Sequence, residues 1–147
     1  MDVAARFAEL SYARRLHVGD IVVKDDRIIS IGYNGMPAGW DNNCEYEVTE
    51  FQTEYGVGSK LVNTGELKTR PEVLHAETNA IAKLAKSNES GMGATMFITH
   101  APCLDCAKLI YQSGIGSVLY RNTYRDTSGI TFLEKSGITV TQINKED

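Results

Sequence analysis

His75-Ala76-Glu77 and Pro102-Cys103-Leu104-Asp105-Cys106 restrict this chain more than any other part of it. One imidazole and two thiolates are a set of zinc ligands one short of a tetrahedron, and a catalytic zinc needs that open place for water. Cys103 and Cys106 stand at i and i+3, so they face one way in a first helical turn, and Pro102 is a helix-start residue. His75 and Glu77 diverge in a regular helix. They converge only where a helix begins, with His75 still outside it. Both motifs then place their groups at helix N-termini, where the positive end of the dipole lowers thiol pKa values and offsets thiolate charge. The alternative is a closed structural zinc completed by Cys44, His17 or His100. Closed sites usually draw on two C-x-x-C knuckles, and they leave Glu77 without a task.

Around these motifs the apolar periodicity predicts alternating elements. Val3, Phe7 and Leu10 recur at helical spacing, predicting a helix over 2–16. Asp20–Lys24 and Arg27–Ile31 are β-branched runs flanking Asp25-Asp26, which predicts a hairpin. Gly32-Tyr33-Asn34-Gly35-Met36-Pro37-Ala38-Gly39 is dense in turn residues, and from Trp40 to Leu74 the pattern dissolves into a long polar stretch. A loop is expected there, with a short helix around Glu47–Tyr55. Beyond it come a helix (76–86), a strand (94–99), a helix (103–113) closed by Gly114, a strand (117–120), a helix (130–135) and a strand (139–143). The order implies an α/β fold. One mixed five-stranded sheet has helices on both faces, with its later crossovers right-handed and parallel.

The chain's 147 residues fit a single domain, and no apolar run approaches the ~20 residues of a membrane span. The charged N-terminus does not read as a signal peptide. Three cysteines, two of them in C-x-x-C, argue against a disulfide scaffold and for a reducing cytoplasm. A net charge of −4 with no Lys/Arg run offers nucleic acid no broad surface, although a local basic pocket remains open.

The spacing H-x-E followed by P-C-x-x-C is that of the zinc nucleobase deaminases. Together with Gly32-Tyr33-Asn34-Gly35-Met36-Pro37-Ala38-Gly39, His75-Ala76-Glu77-Thr78-Asn79-Ala80-Ile81 and Ala101–Lys108, it makes the chain resemble the deoxycytidylate (dCMP) deaminases, in their compact bacteriophage form, of the cytidine deaminase-like superfamily. The resemblance runs from about Val18 to Val140 and is weakest between Tyr46 and Leu74. It implies a three-layer α/β/α fold and a homo-oligomer, commonly a hexamer, in the cytoplasm (the host's, for a viral protein). It also implies hydrolysis of dCMP to dUMP and ammonia, activated by dCTP and inhibited by dTTP.

By the same resemblance one catalytic Zn2+ per chain is held by His75, Cys103 and Cys106, and Glu77 carries protons for a water activated at the metal. Asn34, Ala76 and Tyr124 are implied as substrate contacts, and the loop of Gly32, Tyr33 and Gly35 as part of an effector site, with Mg2+ accompanying a triphosphate. The 5′-phosphate needs a cation: Arg14, Arg15, Arg121 and Arg125 are the candidates, Arg121 and Arg125 favoured because they flank Tyr124. Zinc deamination of cytidine, guanine or a nucleic-acid base is the competing reading, and a non-catalytic nucleotide-sensing module a further one.

Overall fold

The computed structural model describes residues 1–144. Its main sheet joins β1 (Gly19–Lys24), β2 (Arg27–Tyr33), β5 (Thr95–His100), β6 (Ser117–Asn122) and β7 (Thr139–Gln142) in the order β2-β1-β5-β6-β7. β1 runs antiparallel to β2 and β5, whereas β5, β6 and β7 are parallel, as the expected crossovers require. Asp25 and Asp26 both take positive φ, 50° and 58°, the conformation of a two-residue type I′ hairpin turn. The crossover helices are α3 (Leu104–Gln112) and α4 (Ser128–Lys135), and α2 (Ala76–Ala85) precedes β5. Met96, Ile98, Val118 and Val22 of the sheet are fully buried with Ala80 of α2, Ile110 of α3 and Leu133 of α4. Each large apolar side chain so buried contributes roughly 1.5–3 kcal/mol.

Helix α1 (Asp2–Ala8) is half the predicted length. Its buried face is Ala4 and Ala8, not Val3 and Leu10, which are 45% and 52% exposed. Close approach is the cause: a Cβ at Gly19 would lie 2.3 Å from the Ala4 carbonyl oxygen, so only small residues fit between α1 and β1. Beyond the helix, which ends at Ala8, the Ser11 hydroxyl accepts the Ala13 N–H at 3.2 Å in a local turn. Gly19 meets α1 while its neighbour Asp20, pointing to the opposite face, lies under α2, so helices cover both faces.

Segment 40–74 is the larger departure. The short helix expected around Glu47–Tyr55 is absent. In its place β3 (Glu45–Glu54) and β4 (Gly58–Thr69) form a separate two-stranded antiparallel arm, with Phe51 opposite Leu61 and Glu45 opposite Thr69. Val48, Thr49, Phe51 and Thr53 favour strand, but both faces of the arm are largely exposed, so no apolar alternation marks it in the sequence.

Asp20 is buried in this framework, and neither of its carboxylate oxygens has a hydrogen-bond partner. Burial first, and the neighbouring Glu77 carboxyl second, push its pKa well above the usual value. The native state therefore keeps a proton that the unfolded chain releases near pH 4, and stability falls as pH rises above that point. Asp20→Asn is expected to flatten this dependence. Thermal midpoints measured from pH 5 to 9 should fall more steeply for the wild type than for the variant; parallel curves would contradict the assignment.

Candidate active site

Two helix starts meet at the carboxyl end of β5. His75 is the N-cap of α2, its backbone extended at φ −74° and ψ 156°, and Cys103 is the N-cap of α3. Leu74 exchanges backbone hydrogen bonds of 3.1 and 2.8 Å with Gly35, tying the start of α2 to the turn after β2. At Gly32 a Cβ would stand 2.0 Å from the Ala76 carbonyl oxygen, so glycine there lets α2 settle onto β2. Each of these constraints acts on the backbone that aims His75 and Glu77.

The His75 Nδ1 atom lies 3.3 Å from Cys106 Sγ and 3.7 Å from Cys103 Sγ. Bonds of 2.0–2.1 Å to nitrogen and 2.3 Å to sulfur at a tetrahedral angle require about 3.6 Å between ligand atoms. The three donors fit a zinc ion. Among the described residues the cluster comprises these three alone. Cys44 bonds the Asn42 carbonyl, His17 the Ala13 carbonyl and His100 the Thr99 hydroxyl, so none of them closes the set. Hydrogen bonds from Cys106 and then His75 hold Cys103 down to about 4, and the Cys103 sulfur pushes the Cys106 thiol up. The bond to Cys103 likewise raises His75.

Glu77, 4% exposed, sits beside this cluster, and burial pushes its carboxyl up to about 7. A carboxyl so poised exchanges protons near neutrality, which is what acid–base work requires.

The cluster opens onto a cleft of about 320 Å³, lined by His75, Ala76, Glu77, Cys103, Asn34 and Tyr124 among others. Of the substrate contacts expected from the sequence, Asn34, Ala76 and Tyr124 are thus brought together and Arg121 is not. Asn34 is partly engaged: its Oδ1 accepts the Val18 N–H and its Nδ2 donates to the Leu16 carbonyl, each at 2.9 Å. One N–H and one lone pair remain for a ligand. His100 also borders the cleft, its pKa lowered by burial. Of the glycine-rich loop, Gly32 is covered by α2, and Tyr33 directs its carbonyl to Asn79 Nδ2 at 2.8 Å. Arg121 and Arg125 do not border the cleft, and Arg121 is bound to Asp2 at 2.7 Å. Arg15 does border it, together with Glu45 and Thr69 from the root of the arm. Sequence reasoning missed the last two because nothing in the polar stretch marked strands.

Three layers around a mixed sheet, with a zinc-ligand trio and a buried carboxyl at two helix starts, are the layout of a zinc-dependent hydrolase. The family model described as the cytidine and deoxycytidylate deaminase zinc-binding region matches residues 1–122. The deoxycytidylate deaminase of Enterobacteria phage T4 is 34% identical, over 88% of this chain and 80% of that protein. The human deoxycytidylate deaminase is also 34% identical, over 89% of this chain and 67% of its own. The crystal structure of the dCMP deaminase of cyanophage S-TIM5, in complex with dCMP and dUMP, superposes with a TM-score of 0.82 at 42% identity, covering 97% of this chain and 92% of that one. The chain belongs to the cytidine and deoxycytidylate deaminase family. No described helix is long and apolar enough to cross a membrane.

Proposed function

We propose that this protein deaminates dCMP hydrolytically, giving dUMP and ammonia, with one zinc per chain held by His75, Cys103 and Cys106. The observation that carries this reading is the buried Glu77 carboxyl placed against three zinc-fitting donors at the floor of a nucleotide-sized cleft. Likeness to a phage enzyme crystallised with dCMP and dUMP supports the choice of substrate. When bound, the zinc supplies Lewis acidity and an acidified water. Glu77 would move both protons of the attacking water: the first to N3 of the cytosine ring as the water oxygen adds to C4, and the second from the new C4 hydroxyl to the amino group, so that the C4–N bond breaks, ammonia leaves and the C4 carbonyl remains. Ala76 and Asn34, which line the cleft, would border the base and sugar, and Tyr124, which lines it too, would offer a ring face.

Arg15 replaces Arg121 as the 5′-phosphate anchor in this reading, because Arg15 borders the cleft and Arg121 is engaged elsewhere. Activation by dCTP with Mg2+, inhibition by dTTP, an effector site near Gly35, hexamer formation and a cytoplasmic setting are the finer parts of the proposal. They rest on the family resemblance. Ammonia release is to be measured from dCMP, CMP, deoxycytidine, dCTP and a single-stranded oligonucleotide, with and without added dCTP. The highest kcat/KM is expected for dCMP, rising with dCTP; preference for another substrate overturns the assignment. Arg15→Ala should raise KM for dCMP about 10–100-fold, the effect of losing a charge-assisted contact.

A further inference from the structure

Glu45 and Thr69 face each other in the first register pair of the β3–β4 arm, and both bind the arginine segment that borders the cleft. Glu45 is buried, 1% exposed. Its Oε1 accepts the Arg14 and Arg15 backbone N–H groups at 2.9 and 3.2 Å, and its Oε2 pairs with Arg14 Nε at 3.5 Å. Thr69 Oγ1 accepts Arg15 Nη1 at 3.0 Å. The Glu45 charge is thus spent on Arg14 and on two peptide groups, and Arg15 makes no ion pair with a described carboxylate. One of Arg15's five N–H donors is committed to Thr69, which leaves a forked set free for an anion.

We propose that Glu45 and Thr69 are positioning residues for substrate selection: the root of the arm holds Arg15 at the cleft mouth so that a nucleoside monophosphate is taken in preference to the nucleoside. The proposal rests on the reading of Arg15 as phosphate anchor and adds how that anchor is held. A free arginine samples many rotamers, and ordering it on binding opposes affinity. A hydroxyl that fixes the guanidinium beforehand removes part of that opposition. Glu45 fixes the backbone from which the side chain departs. It also keeps Arg14, rather than Arg15, as the partner of the buried carboxylate. The arm, whose strands pack chiefly on each other, therefore meets the body at the place where phosphate recognition is set.

The test compares KM and kcat for dCMP and deoxycytidine in zinc-loaded wild type, Thr69→Val, Glu45→Gln, Glu45→Ala and Arg15→Ala. Thr69→Val is nearly isosteric at an exposed position, and it should raise KM for dCMP about three- to tenfold with a smaller change in kcat. Glu45→Ala should raise it more than tenfold, and Glu45→Gln should recover part of the loss because its amide oxygen still accepts the two N–H groups. The preference for dCMP over deoxycytidine should narrow in every variant. Should Glu45→Ala fail to fold, Thr69→Val decides. Unchanged KM for dCMP in Thr69→Val, with a raised KM in Arg15→Ala, overturns the positioning role and leaves the anchor standing. Equal losses on both substrates also overturn it, since they mark a structural effect alone. If Arg15→Ala leaves the preference intact, the anchor reading falls and the positioning role falls with it.

Discussion

Glu77→Gln is expected to lower kcat for dCMP by about 10²–10⁴-fold while the protein still binds one zinc per chain. The amide keeps the size of the side chain and its place against the cluster, so the metal ligands are untouched. It cannot accept the water's proton, and both proton deliveries to the cytosine are lost with it. The same substitution should alter stability in the opposite sense in the metal-free protein. Burial holds the Glu77 carboxyl at about 7, against an ordinary 4.5. The folded chain therefore binds a proton more tightly than the unfolded chain, and its stability declines as pH rises from about 4.5 to 7. Glu77→Gln removes that decline, a gain on the order of 3 kcal/mol at pH 8. Denaturant titrations of the stripped proteins at pH 5 and pH 8 check it: the wild type should lose more stability between the two than the variant, in which the decline due to Asp20 remains. Metal analysis alongside single-turnover kinetics checks the catalytic half. A zinc-loaded Glu77→Gln that turns over normally would remove Glu77 from the reaction.

Cys106→Ala is expected to abolish both zinc retention and activity. Cys106 is buried on α3 and stands 3.3 Å from His75 Nδ1, so its loss leaves two donors, one of them on each helix start. Two ligands do not hold a zinc against dialysis. Because metal binds the folded state, its loss also withdraws stabilisation, about 4 kcal/mol where free zinc exceeds the dissociation constant a thousandfold. Zinc stoichiometry, dCMP turnover and the thermal midpoint should fall together. In the wild type a strong chelator should produce the same three losses, and added zinc should reverse them. An unaltered zinc content in Cys106→Ala would mean that another residue closes the site.

How much of this was legible beforehand depended on what each residue was spent on. The five main-sheet strands, α2, α3 and α4 were readable because their apolar residues face one core and so repeat at strand or helix spacing. The cluster of His75, Cys103 and Cys106 was readable because metal coordination needs those residue types at helix starts. Helix α1 is shorter than its apolar spacing predicts: Val3 and Leu10 mimic a buried face, while the actual contact is made by Ala4 and Ala8 against Gly19. The arm escaped notice because a ribbon with two exposed faces has no reason to alternate, and a short helix was expected in its place. Its consequence for the cleft escaped with it. Glu45 and Thr69 are 24 residues apart in the chain and gain a shared task only through the register of the two strands. Arg121 was favoured over Arg15 on nearness in sequence to Tyr124, yet in space it is Arg15 that shares the cleft with Tyr124.

Hydrolytic deamination of dCMP is tested most directly by running the zinc-loaded protein with dCMP in oxygen-18 water and examining the product by mass spectrometry. The expected product is dUMP bearing one solvent-derived oxygen at C4, with one ammonia released for each dUMP formed. Recovery of unchanged dCMP, or of a product without the label, would contradict it.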